Sequence, residues 1–128
     1  MSKRESALKS KLVVELKTIP NSLVFRHEDV RVSGIPDISL SAGGKTSWIE
    51  VKHGTPTFGS PGIQEFTMLR LSMFSYARYV IYWERADGTN PLTLIVHPKE
   101  IKTLIAEAEF VGHDHAAVAN FFKSVHRV

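Results

Sequence analysis

The chain has no cysteine. That removes disulfides, thiolate-held zinc and a cysteine nucleophile together, and leaves the redox compartment open. It also lacks any apolar run near the ~20 residues of a membrane span. Behind the charged start Met1-Ser2-Lys3-Arg4-Glu5 there is no apolar stretch of signal-peptide type. The expectation is a cytoplasmic protein (host cytosol if a phage encodes it) with no transmembrane segment. No internal repeat, low-complexity tract or Pro/Gly/Ser-rich linker divides the sequence, so residues 1–128 are expected to form a single domain. What is present fits a packed interior: 43% hydrophobic and 23% charged residues exclude disorder. The net charge of +3 is unevenly spread. Residues 1–52 hold nine Lys/Arg against six Asp/Glu, whereas residues 53–128 hold seven of each. A mild surplus of this kind suits a polyanionic partner, although many soluble basic proteins share it.

Leu8, Leu12, Leu16 and Ile19 recur at helical spacing, which predicts a helix over 6–17 that Pro20-Asn21 stops. Residues 23–27 read as a strand, Ser33-Gly34-Ile35-Pro36 as a turn, and 37–41 as a second strand. Ala42-Gly43-Gly44-Lys45 reads as a hairpin loop returning into a third strand over 47–53. Residues 54–62, with two prolines and three glycines, form a loop. A helix over 63–75, strands over 78–84 and 92–97, and helices over 98–109 and 115–125 complete the expected order α-β-β-β-α-β-β-α-α. One mixed central β-sheet flanked by helices, an α/β fold, is the economical packing.

The informative stretch is Gly34-Ile35-Pro36-Asp37, the hairpin, then Trp48-Ile49-Glu50-Val51-Lys52. Side chains alternate along a strand, so Trp48, Glu50 and Lys52 share one face while Ile49 and Val51 enter the core. A hairpin brings the start of one strand beside the end of its partner, which places Asp37 next to Glu50 and Lys52. Two carboxylates and an ammonium at one sheet end suit phosphodiester hydrolysis. Mg²⁺ or Mn²⁺ takes hard oxygen ligands, and the Val51 carbonyl between the two polar residues offers a further one. A lysine beside them can orient water or offset charge building on a phosphate. A bare Glu-x-Lys is common, so the weight rests on the combination.

In that combination the chain resembles the PD-(D/E)xK nuclease superfamily, and within it the virus-type replication-repair nuclease (VRR-NUC) family, with archaeal Holliday-junction resolvases as relatives. The resemblance spans roughly residues 5–97 by motif and element order. It implies a restriction-endonuclease-like fold and metal-dependent DNA endonuclease activity, with Asp37 and Glu50 as metal ligands and Lys52 assisting catalysis. It implies dimeric enzymes acting on branched DNA such as Holliday junctions, in DNA repair and recombination. It also implies a glutamate from the first helix and a glutamine after the motif, matched by Gln64. Glu5 and Glu15 compete for the glutamate's place. On a helical wheel the apolar stripe centres near ~115°, with Glu5 near ~140° and Glu15 near ~60°, which favours Glu5.

Arg26, His27 and Arg31, just before the Gly-x-Pro-Asp turn, are candidate phosphate contacts. His53 points away from Lys52 and is not expected to be catalytic. His113-Asp114-His115 lacks the spacing of a helical metal pair, and Asp114 reads as the N-cap of the last helix. The broad apolar helix containing Phe66, Met68, Leu69, Leu71, Met73 and Phe74, together with Phe121-Phe122, leaves room for a homodimer interface. Loop 54–62 is expected to contact DNA. A nucleic-acid-binding module on the same fold without hydrolysis is the alternative, but pure binding has no use for two carboxylates facing a polyanion.

Overall fold

The computed structural model describes residues 3–28, 34–54, 63–84, 88 and 91–128. The elements are α1 (Lys3–Leu16), β1 (Leu23–Arg26), β2 (Ile38–Ala42), β3 (Lys45–Gly54), α2 (Ile63–Phe74), β4 (Tyr76–Trp83), β5 (Leu92–Val96), a 3₁₀ turn (Pro98–Glu100), β6 (Ala106–Val111) and α3 (His115–His126). The strands form one sheet in sequence order, β1 to β6. β3 and β4 run parallel, joined by the α2 crossover, and every other neighbouring pair is antiparallel. Among the described residues no helix is long and apolar enough to cross a membrane.

The sheet separates two apolar layers. On one face Leu8, Leu12 and Leu16 of α1 meet Ile38, Leu40, Ile49, Val51, Val80, Tyr82 and, from α3, Val118 and Phe122. On the other, Met68 of α2 meets Tyr79, Ile81, Leu94, Val96 and Ile101, with Trp48 packed against them. Ile49 and Val51 thus face α1, and Trp48 faces α2, as strand alternation requires. Each fully buried leucine stabilises by about 1.5–3 kcal/mol relative to exposure, so the α1 stripe fixes that helix on the sheet.

The β2–β3 hairpin turns on Gly43 and Gly44 alone, at φ +59° and +77°. Two successive positive φ values are the type I′ geometry that matches strand twist. Gly43 has a second constraint, because a Cβ there would run into the backbone carbonyl of His126. The end of α3 docks on this hairpin. His126 Nδ1 donates to the Ala42 carbonyl at 2.7 Å, and in the neutral ring Nε2 accepts from Ser47 Oγ at 2.6 Å.

One expected element is different. Residues 98–109 are not a helix: after the 3₁₀ turn, Leu104 adopts φ +54°, a left-handed step that stops helical propagation. The chain then extends as β6, with Glu107 and Glu109 exposed and Ala106 and Ala108 half-buried. Ala and Glu favour helices locally, but pairing with β5 overrides that preference. Glu107 also ties β6 to β4. Its Oε2 accepts from Tyr76 Oη and from Arg78 Nε, both at 2.8 Å, and Arg78 Nη2 lies 2.6 Å from Oε1.

Burial tends to raise the Glu107 carboxyl, but the bonds from Arg78 and Tyr76 outweigh it and hold it below the ordinary glutamate value of 4.5. A depressed folded value contributes stability above the unfolded pKa and loses it as pH falls through the folded one. Glu107→Gln is therefore expected to lower the melting temperature at pH 7 and to flatten its decline below about pH 4.5. Parallel melting curves for the two proteins from pH 7 to 3 would reject this assignment.

Candidate active site

β2 stops pairing with β3 at Ile38↔Ile49. β3 continues to Gly54, held only on its other edge by β4, with Glu50 opposite Tyr79 and Lys52 opposite Ile81. Past Ile49, the edge of β3 that faced β2 is open, and Asp37 fills it. Asp37 Oδ2 accepts the Val51 N–H at 2.9 Å, and the Asp37 N–H donates to Glu50 Oε1 at 3.0 Å. In a strand the N–H and C=O of one residue lie on the same edge, so the Val51 carbonyl opens toward Asp37 as well. Lys52 Nζ lies 3.5 Å from Glu50 Oε2, with the lysine side chain 36% exposed and the glutamate 3%. Glu50 is thus the floor of the site and Lys52 its mouth.

A further cation comes from the opposite face. Lys9, on α1, is fully buried and donates from Nζ to Asp37 Oδ1 at 2.7 Å. The Asp37 carboxylate therefore sits in the gap between the two faces, bonded to Lys9 from the α1 side and to the β3 backbone. Burial, reinforced by the Asp37 carboxyl beside it, pushes Glu50 up to about 9 against a smaller downward pull from Lys52. Two buried carboxylates side by side both ionise cheaply only with cations at hand.

The donor set fits a hard divalent cation. Asp37, Glu50 and the Val51 carbonyl offer oxygen only, in the number that magnesium uses when waters and phosphate complete its shell. Among the described residues no three His, Asp or Glu side chains form a metal-holding group. Glu5 is half-buried and stands one helical turn before Lys9, so the two share a face of α1. Glu15 lies near the other end of the helix.

The remaining expected residues divide. Arg26 is already engaged: its Nη1 and Nη2 donate to Ser10 Oγ (2.6 Å) and Ser6 Oγ (2.9 Å) of α1, and its Nε lies 2.7 Å from Glu28 Oε1. It ties β1 to α1 and faces away from Glu50. His27 lies close by, its ring stacked on Trp48 with centroids 5.6 Å apart, and its backbone N–H donates to the Asp37 backbone carbonyl at 2.7 Å. Arg31 and residues 55–62 lie outside the described residues, as does the Gln64 side chain, although its backbone falls in the first turn of α2. His53 points to the opposite face, 3.0 Å from Glu84 Oε1. Asp114 caps α3, accepting the Ala117 N–H at 3.0 Å. Phe122 is fully buried and Phe121 packs on the same core, so neither widens an outer surface. Phe66, Met73 and Phe74 of α2 are exposed.

Sequence reasoning missed Lys9. The only signal was its place one turn after Glu5, at the edge of the apolar stripe, where lysines usually reach solvent. It missed Tyr79 too, buried beside Glu50, whose hydroxyl has no hydrogen-bond partner among the described residues. Burial raises that phenol, and Glu50 and Glu65 add to the effect.

Neither a comparison with family models nor one with curated proteins matches the chain. Among solved structures it is similar to Archaeoglobus fulgidus Hjc, a Holliday junction resolvase from an archaeal hyperthermophile. The TM-score is 0.53 at 17% identity, over 76% of this chain and 75% of that one. At that identity the likeness is one of fold. The six-stranded mixed sheet with three helices matches the restriction-endonuclease-like fold of Hjc.

Proposed function

We propose that this protein is a Mg²⁺- or Mn²⁺-dependent endonuclease that hydrolyses DNA phosphodiester bonds, with branched DNA such as a Holliday junction as preferred substrate and a homodimer as working form. The observation that carries this reading is the meeting of Asp37, Glu50, the Val51 carbonyl edge and Lys52 at one open sheet end. The fold likeness to a resolvase supports the choice of branched DNA, and the VRR-NUC-like motifs support the chemistry.

In this reading Asp37, Glu50, the Val51 carbonyl and Glu5 hold the metal. When bound, the ion supplies Lewis-acid polarisation of the scissile phosphate and activation of a water. Lys52, at the mouth, orients that water and offsets charge as the phosphate becomes more negative. Gln64 supports the site from α2. Asp37 keeps its orientation through the Val51 N–H, and Glu50 through the Asp37 N–H, so the ligands are positioned before substrate arrives. One site cuts one strand, and a four-way junction needs two cuts related by a two-fold axis, which a symmetric dimer provides. Exposed Phe66, Met73 and Phe74 on α2, and Leu23 and Phe25 on β1, give such a dimer apolar surface to bury.

The test is cleavage of a labelled four-way junction and a matched linear duplex with Mg²⁺, Mn²⁺ or EDTA, by wild type and Glu50→Gln. The expected result is metal-dependent cutting that prefers the junction and falls at least ~10²-fold in the variant. Cutting by Glu50→Gln at the wild-type rate would remove this site from the reaction. Junction binding by folded wild type without cutting in either metal would favour the non-hydrolytic module.

A further inference from the structure

The buried charge that the proposed reaction does not use is Lys9. Resting on the metal-site reading above, we infer that Lys9 is a built-in competitor for the metal: its ammonium occupies the cation position at Asp37 until a divalent ion displaces it. Lysine is among the residues least often buried, and a buried ammonium requires a matched partner. Here the side chain is 0% exposed and its partner is the motif aspartate, at 2.7 Å on Oδ1. The other oxygen of that carboxylate is engaged by the Val51 N–H. A divalent ion bound to Asp37 would sit within a few ångströms of the ammonium, and at low dielectric two such cations repel strongly.

The charges favour the same conclusion. Asp37 and Glu50 are not bare carboxylates before any metal arrives: each already has an ammonium against it, Lys9 at 2.7 Å and Lys52 at 3.5 Å. A divalent ion entering the site gains full attraction only if the Lys9 ammonium gives up Asp37. Metal affinity in the absence of DNA is therefore set by this exchange. A phosphate entering with the substrate adds the negative charge that shifts it toward the metal. Lys9 is a positioning residue in this scheme, acting through Asp37.

The experiment is calorimetric titration of Mn²⁺ into DNA-free wild type, Lys9→Met, Asp37→Asn and Leu16→Ala. Met matches lysine in length without its charge, and Leu16→Ala reports what loosening α1 does by itself. Lys9→Met is expected to bind Mn²⁺ at least tenfold more tightly than wild type, with Leu16→Ala unchanged. Equal or weaker binding by Lys9→Met overturns the inference. If Asp37→Asn loses binding while Lys9→Met binds like wild type, the lysine inference alone fails. If Asp37→Asn binds like wild type, the metal-site reading fails and the inference falls with it. Should Lys9→Met not fold, the wild-type Lys9 ammonium resonance decides. It is expected to shift as Mg²⁺ saturates the site, and an unshifted signal at saturation overturns the inference.

Discussion

Asp37→Asn is expected to cost the metal-free protein about 3–5 kcal/mol, the usual penalty for stranding one member of a buried ion pair. The loss would not come from the carboxylate's contact with β3. An asparagine carbonyl can still accept the Val51 N–H that Asp37 Oδ2 now takes. It would come from Lys9, which has 0% exposure and cannot carry its charge to water when Asp37 stops neutralising it. Glu50→Gln is the contrasting change. Its amide oxygen can keep the bond from the Asp37 N–H, and burial already pushes the Glu50 carboxyl up to about 9, so at pH 7 the change removes little charge and stability is expected to move by less than about 1 kcal/mol. The double variant Asp37→Asn/Lys9→Met is expected to recover most of the loss, because an apolar side chain replaces a buried ammonium that has lost its aspartate. Urea or thermal unfolding at pH 7 in EDTA measures all of these, with a fall in melting temperature on the order of 10 °C for Asp37→Asn. Equal losses for Asp37→Asn and Glu50→Gln, or no recovery in the double variant, would show that Lys9 draws its stabilisation from elsewhere.

The asymmetry between these carboxylates marks where sequence reading reaches its limit. Asp37, Glu50 and Lys52 could be placed together because the chain between them is short and its geometry is local. A two-residue Gly43-Gly44 turn fixes the register, and alternation then decides which side chains share a face. The α1 stripe was legible for the same reason, since Leu8, Leu12 and Leu16 repeat within a single helix. Lys9 was not legible, because its burial depends on where α1 lands against Asp37 at the start of β2, 28 residues later. The partners of Arg26 were hidden on the same ground. It stands just before the motif, and besides Glu28 it is held by serines of α1, an element that its own neighbours do not reveal. β6 was misread because Ala-Glu-Ala-Glu satisfies helix propensity and strand alternation together. The exposed edge of β5 and the left-handed Leu104 decided between them. Local patterns fixed the elements and the motif, whereas long-range packing chose the counter-ions.

Lys52 differs from Lys9 in that its effect should appear in the reaction and nowhere else. Its side chain is 36% exposed and its ammonium is 3.5 Å from Glu50 Oε2, a long contact to a carboxyl that burial pushes up to about 9, so at pH 7 it contributes only about 0–1 kcal/mol. Lys52→Ala is therefore expected to fold with a melting temperature close to wild type. It should also still bind Mn²⁺, since the proposed ligands are Asp37, Glu50, Glu5 and the Val51 carbonyl. Cleavage is another matter. A positioned cation near the scissile phosphate acts on charge that develops only in the transition state, and removing one such group typically slows the reaction by roughly 10²–10³-fold. Lys52→Arg is not expected to restore the rate. The wider, planar guanidinium spreads its charge and cannot place a single ammonium proton on the attacking water. Single-turnover cleavage of a four-way junction at saturating enzyme separates this step from binding, and calorimetric Mn²⁺ titration checks the metal site in the same variants. If Lys52→Ala cut at the wild-type rate, Lys52 would be only a surface partner of Glu50. If it lost metal affinity together with cutting, its role would lie in holding Glu50 in place, and the group acting on the water would have to be sought elsewhere in the site.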